Sequence, residues 1–181
     1  MSAPTVLLLP GLGNSGARHW QTLWELRYGY TRVIQHDWDR PERDLWVAAI
    51  DDAVQDARAP VVLVAHSLAC AAVAHWARRP LARKIAAALL VAPADVDSPT
   101  HMPPETRSFA PLPLDPLPFA AVVVASDSDP YVDLERARQF AESWSAEWVT
   151  IGDVGHINAD SGLGDWPEGH RLLERLVARV G

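Results

Sequence analysis

The chain predicts an α/β fold, one domain with a sheet of about six mainly parallel strands and helices on both faces. Three observations carry that reading. Short apolar runs recur at residues 5–9, 32–36, 60–65, 85–92, 120–125 and 147–151. Helical patterns lie between them, as right-handed crossovers require. Val61-Val62-Leu63-Val64 and Val122-Val123-Val124 are continuous rather than alternating, which marks strands buried on both faces. The 181 residues, 49% hydrophobic, suit a single domain over 1–181 with a real core. They are too few for a TIM barrel of roughly 250 residues and too apolar for a disordered chain.

The elements follow in order. The first run leads into a glycine-rich loop, then a helix that begins nearer Arg18 than Gly13. Residues 44–57 place Leu45, Ala48, Ala49, Asp52 and Ala53 near one helical face, with Asp44 as candidate N-cap. Residues 68–79 form a small-residue helix ending before Pro80. The alanine-rich run 85–92 fits a strand or a helix. Residues 134–144 follow Asp133, a second candidate cap. Residues 168–180 put Leu172, Leu173, Leu176, Val177 and Val180 on one stripe. Between runs four and five, the 26 residues 93–118 hold eight of the 15 prolines, too many for a helix or central strand. A long irregular excursion of this kind suggests a cap over the site at the sheet edge.

Charge and composition exclude several classes. A net charge of -7 argues against a nucleic-acid partner. No run of ~18 apolar residues is present, so no membrane span is expected. The stretch from Val6 to Leu9 is too short for a signal peptide and has no basic region before it. The single cysteine, Cys70, fits a reducing, cytoplasmic setting. Scattered His and Asp lack metal-ligand spacing such as H-E-x-x-H, so no metal is expected. Among the eight tryptophans, some are expected to line a pocket.

Two site readings compete. Gly11, Gly13 and Gly16 match G-x-G-x-x-G, and Asp37 lies 21 residues beyond Gly16, as in a dinucleotide site. A dinucleotide helix, however, begins inside that motif so that its N-terminus faces the pyrophosphate. The second reading starts at strand three. Ala65-His66-Ser67-Leu68-Ala69 joins a strand to a helix in a relaxed form of the G-x-S-x-G nucleophile elbow. Small residues two before and two after the serine let the tight turn close. A serine needs a base, and the base needs an orienting acid. Asp129 follows strand five and His156 follows strand six, which gives the order Ser, Asp, His. Asp127 competes with Asp129, but the spacing from Ser126 and the approach to Val132 favour Asp129. The glycine loop then supplies a second oxyanion donor, the amide of Leu12 or Gly13, beside the amide of Leu68. His66 and Cys70 read as structural. His19, Trp20, Trp38 and Asn158 are candidate pocket residues.

At these motifs the sequence resembles the small serine hydrolases grouped with retinoblastoma-binding protein 9 and the bacterial YdeN type. The resemblance covers nearly the whole chain. It runs through Leu9-Pro10-Gly11 with Arg18-His19-Trp20-Gln21, then Asp37-Trp38, then His66-Ser67-Leu68 with Cys70. It continues through Ser128-Asp129-Pro130-Tyr131-Val132, Gly155-His156-Ile157-Asn158 with Ser161-Gly162, and Trp166-Pro167-Glu168-Gly169. It implies a compact α/β-hydrolase fold and a triad of Ser67, Asp129 and His156. It departs at Ala65 and Ala69, where the family usually carries glycine.

If the six strands match the later strands of that fold, their order is 2-1-3-4-5-6, with strands one and three flanking the switch point. The expected function is hydrolysis of small acyl esters through an acyl-enzyme, with a small-molecule acyl substrate and no cofactor. A non-catalytic binding module on the same fold and a dinucleotide-binding protein are the alternatives. With no residues left for a cap domain, an open and shallow pocket is expected.

Overall fold

The computed structural model describes the backbone of residues 4–180 and the side chains of 4–179. Six strands form its sheet: β1 (Thr5–Leu9), β2 (Thr31–Arg32), β3 (Val61–His66), β4 (Ile85–Val91), β5 (Ala120–Ala125) and β6 (Glu147–Thr150). Every neighbouring pair is parallel, and the order is β2-β1-β3-β4-β5-β6. Four helices lie between strands, α1 (Trp20–Tyr28), α2 (Arg43–Asp56), α3 (Leu68–Trp76) and α4 (Leu134–Ser143), and a fifth, α5 (Pro167–Val180), follows β6. The fold is that of a single parallel sheet covered by helices on both faces.

The continuous apolar runs are explained by the two-residue period of a strand. Leu7, Leu9, Val61, Leu63 and Ala65 enter one core with side chains of α2, α3 and α4. Val6, Leu8, Val62, Val64, Val122 and Val124 enter the opposite core with Trp20 and Trp24 of α1 and Leu172, Leu173 and Leu176 of α5. The inner strands β3, β4 and β5, covered on both faces, therefore carry apolar residues at nearly every position, whereas the edge strands β2 and β6 do not. The alanine-rich run is the strand β4, in the middle of the sheet between β3 and β5. Val180, predicted for the α5 stripe, lies outside the described side chains.

Several local expectations are corrected. The second run pairs over two residues only, Leu7 with Thr31 and Leu8 with Arg32, followed by one bond from Val33 N–H to Leu8 O at 2.8 Å. Beyond that, the Leu9 carbonyl accepts from Gln21 Nε2 at 3.2 Å and Pro10 has no N–H to give. Residues 34–36 have nothing left to pair with, and Ile34 is exposed.

On α2 the buried face is Trp46, Val47, Ile50 and Val54, while Leu45 is 46% exposed. The large side chains take the core, and Ala49 and Ala53 lie at its margin. Asp44 is not the cap. The helix starts after Glu42, Asp44 pairs with Arg43, and Ser108 Oγ accepts the Arg43 N–H at 3.1 Å. Asp133 does hold the N-cap position of α4, but its side chain makes no capping bond. The helix α3 stops at Trp76, and a short 3-10 turn over Pro80–Lys84 leads into β4.

The excursion 93–118 mostly wraps the α2–α3–α4 side. Phe109 packs edge-on against Trp46, and Trp144 Nε1 donates to Pro113 O at 2.8 Å. It is tied to the loop after β5 by Asp95 N–H to Tyr131 O (3.0 Å) and by His101 Nδ1 on Pro130 O (3.1 Å).

Candidate active site

Three strand ends meet at one place. After β3 the chain turns sharply at Ser67, with φ 57° and ψ -123°, and enters α3. A non-glycine residue in that region is strained, and the turn lifts the Ser67 hydroxyl above the sheet edge. Ala65 and Ala69 flank it, both fully buried, so the elbow closes with alanine at both positions.

Ser67 Oγ lies 2.8 Å from His156 Nε2. On the other side of the ring, His156 Nδ1 lies 2.8 and 2.9 Å from the two carboxylate oxygens of Asp129. Each of the three residues is only 8% exposed. Asp127 points elsewhere and accepts from Thr150 Oγ1 at 2.8 Å. The Asp129 loop and the His156 loop are fastened to each other. Ser126 Oγ donates to Gly152 O (3.0 Å) and accepts the Val154 N–H (3.1 Å).

The glycine loop lies against the elbow. A Cβ placed on Gly11 would stand 2.9 Å from both His66 O and Ser67 Cβ, and 3.3 Å from the Leu68 nitrogen. Only glycine allows that approach. Gly13 N–H is taken by Trp38 O at 2.9 Å, which removes it as an oxyanion donor. No backbone bond takes up the Leu12 N–H among the described residues. Leu68 is the first residue of α3, so its N–H has no partner within the helix.

Gln21, fully buried, holds the loop in place. Its Nε2 donates to Leu9 O at the end of β1 and to Val64 O within β3, and its Oε1 accepts from Ser15 Oγ at 2.7 Å. This buried amide has the only sequence signal of being a polar residue directly after two buried aromatic rings, and the site reading did not select it.

The cleft beside Ser67 has a volume near 280 Å³, at the small end of ligand sites, which run from about 300 to 1,000 Å³. Leu12, His19 and Asn158 line it, together with Met102, Pro103 and Tyr131. Met102 and Pro103 are the part of the excursion that reaches the site. Trp20 and Trp38 do not line it. Trp20 is buried in the core with its indole N–H on Ile157 O at 2.8 Å, and Trp38 packs against Trp46. Six of the tryptophans are buried below 2% exposure, so the expectation of a tryptophan-lined pocket is corrected. Their mass goes into the two cores, where the donors of Trp20, Trp24, Trp46, Trp76 and Trp144 each find an oxygen.

His66 is buried and its Nε2 donates to the His156 carbonyl at 2.9 Å. Burial pushes its pKa well below the usual imidazole range, so it is a neutral strut against the His156 backbone. His19 is likewise held to a pKa of about 4, first by burial and then by the nearby His156 and Arg32. Burial pushes the Cys70 thiol up, and its Sγ faces the Ala65 and Val91 carbonyls.

The dinucleotide pattern does not form a dinucleotide site. α1 begins at Trp20, past Gly16, and Asp37 Oδ1 accepts the N–H groups of Asp39 and Arg40 in its own loop, both at 2.9 Å. Among the described residues no group of three His, Cys, Asp or Glu side chains is placed to hold a metal. No described helix is long and apolar enough to cross a membrane.

Comparison with known proteins bears on the family and the fold. The serine hydrolase family model matches residues 6–175. A YdeN-like hydrolase from Pectobacterium atrosepticum superposes with a TM-score of 0.86 at 32% identity, covering 97% of this chain and 91% of that one. The ydeN gene product of B. subtilis superposes at 0.74 with 18% identity, over 97% and 100% of the two chains. Est1E from Butyrivibrio proteoclasticus, solved with ferulic acid, superposes at 0.66 with 13% identity, over 98% and 88%; these last two share the fold. No curated protein sequence matches the chain. A match spanning nearly the whole chain, on the α/β-hydrolase fold and with a YdeN-like structural relative, makes this protein a member of the serine hydrolase family.

Proposed function

We propose that the protein is a serine esterase for small acyl esters, working through Ser67, His156 and Asp129. The observation that carries this reading is the unbroken chain of contacts from the Ser67 hydroxyl through both imidazole nitrogens to the Asp129 carboxylate, set on a strained elbow.

His156 takes the Ser67 proton as Oγ attacks the acyl carbonyl carbon. The Nδ1–H donates to Asp129, which fixes the tautomer and stabilises the imidazolium. The N–H groups of Leu68 and Leu12 receive the oxyanion, each contributing roughly 3–4 kcal/mol in comparable sites. The imidazolium returns its proton to the leaving alkoxide, and the alcohol departs. Water, deprotonated by His156, then attacks the acyl carbon; the acyl–Oγ bond breaks, the imidazolium returns its proton to Ser67 Oγ and the carboxylic acid leaves. The small cleft supports short acyl groups. Its uncharged lining, without Asp, Glu, Lys or Arg, supports neutral ones, because a charged group would enter without a counter-ion.

The test is labelling with a fluorophosphonate probe alongside hydrolysis of p-nitrophenyl butyrate. The wild type is expected to label at Ser67 and to turn over the ester, and Ser67→Ala to do neither. A Ser67→Ala protein with undiminished turnover would refute the assignment. A wild type that neither labels nor hydrolyses would favour a binding role on the same fold.

A further inference from the structure

The rings of His66 and Tyr131 both pack on the His156 imidazole, with centroids 4.8 and 4.5 Å away. All three residues line the cleft beside Ser67. His66 is buried, at 5% exposure, whereas Tyr131 is 38% exposed. Tyr131 is thus an aromatic ring beside the base with surface left for a bound molecule. Its backbone is fixed on both sides. The Tyr131 N–H donates to Asp129 Oδ1 at 2.9 Å, and its carbonyl accepts the Asp95 N–H at 3.0 Å. The second bond, with His101 Nδ1 on Pro130 O at 3.1 Å, draws the proline-rich excursion alongside. Met102 and Pro103 of that excursion line the same cleft as Tyr131.

The chemistry of acyl transfer sends the two halves of an ester to different parts of this cleft. The acyl oxygen must reach the amides of Leu12 and Leu68, in the glycine loop and the elbow. The alcohol oxygen must come within hydrogen-bond reach of His156 Nε2, because it takes the proton there as its bond to the acyl carbon breaks. The group attached to that oxygen therefore lies beside the imidazole, where Tyr131 presents its ring. We propose that Tyr131 is a specificity-determining residue for the leaving group, and that the site favours short acyl esters of aromatic alcohols, whose ring packs on Tyr131. Ring-on-ring contact adds to the gain from the area it buries, and Met102 and Pro103 extend the apolar surface. A charged alcohol is disfavoured, since no Asp, Glu, Lys or Arg lines the cleft. This deepens the esterase reading and rests on it.

The experiment measures kcat/KM by pH-stat for benzyl acetate, methyl acetate and benzyl butyrate, in the wild type, Tyr131→Phe and Tyr131→Ala. The benzyl-to-methyl ratio of the acetates reads the alcohol half, and the acetate-to-butyrate ratio of the benzyl esters reads the acyl half. Comparing each ratio between proteins cancels the intrinsic reactivity of the esters. The benzyl-to-methyl ratio is expected to fall by about tenfold in Tyr131→Ala and to hold in Tyr131→Phe, which keeps the ring. The acetate-to-butyrate ratio is expected to hold in both. A ring that merely shields the imidazole would, on removal, lower all three rates together, and an unchanged benzyl-to-methyl ratio overturns the proposal. An equal fall in Tyr131→Phe also overturns it, because the effect would then belong to the hydroxyl, and so does an equal shift in the acyl ratio. A wild type that labels at Ser67 and hydrolyses p-nitrophenyl butyrate, with a ratio that Tyr131→Ala does not move, refutes the leaving-group assignment alone. One that neither labels nor hydrolyses any ester refutes the esterase reading beneath it.

Discussion

Gly11 lies against the elbow with no room for a methyl group, so Gly11→Ala probes the oxyanion architecture through one added carbon. The new Cβ would meet His66 O and Ser67 Cβ at 2.9 Å and the Leu68 nitrogen at 3.3 Å. Two of these three atoms are backbone and the third is fixed to it, so no side-chain rotation relieves the contact. Restoring an ordinary separation of about 3.5 Å requires the loop and the elbow to part by roughly 0.6 Å. That motion separates the Leu12 and Leu68 amides, which the mechanism needs converged on one oxygen. Misplacements of this order cost about 10- to 100-fold in rate. Overpacking adds about 2 kcal/mol of destabilisation, or a fall in Tm of roughly 4–8 °C for a domain of this size. The assays are kcat for p-nitrophenyl butyrate and thermal unfolding by circular dichroism. Gly16→Ala is the stability control, because a Cβ there meets nothing within 4 Å. A Gly11→Ala protein with kcat within twofold of wild type and an unchanged Tm would refute the convergence of the two amides.

Other outcomes follow from the same structure. A Cβ on Gly169 would lie 2.2–2.5 Å from the Trp166 ring, which packs on Trp20 and Trp24; Gly169→Ala is expected to cost about 3 kcal/mol or more, read as a lowered Tm. His19 titrates near pH 4 when folded and near 6.5 when free. As pH falls from 6.5 towards 4 the unfolded chain takes the proton first, and about 3 kcal/mol present above pH 6.5 is lost. His19→Asn should therefore show a flatter fall in urea midpoint between pH 7 and pH 4.5 than the wild type, and equal slopes would contradict it. Cys70, fully buried with its thiol pKa raised, should react with Ellman's reagent only after unfolding.

Much of the site was legible because its parts are local. A serine on a strand-to-helix turn, an aspartate after β5 and a histidine after β6 are each read from a few adjacent residues, and the alternation of runs orders them. What failed were judgements about which side of an element faces inward. On α2 the Leu45–Ala48–Ala49–Ala53 lane, which also holds Asp52, and the Trp46–Val47–Ile50–Val54 lane both carry apolar residues, and the core that the helix packs against takes the second. The start of α2 is not legible locally, because the Arg43 N–H is satisfied by Ser108, 65 positions away. Trp20 and Trp38 suggested a pocket, but aromatic mass has no direction in a sequence.

The sequence by itself determined the parallel sheet and, with the hydrolase resemblance, its order, and it marked Ser67, Asp129 and His156, which the fold brings into contact, because strand period, turn chemistry and chain order are local properties. Tertiary structure alone decided which amide of the glycine loop stays free, since Gly13 is claimed by Trp38 O. It decided that Gln21 braces β1 to β3, that only Met102 and Pro103 of the proline-rich stretch reach the cleft, and that His19 Nε2 is buried without a partner. Each of these depends on a hydrogen bond made or left unmade between distant segments, and such a bond exists only when the fold has brought its two ends together.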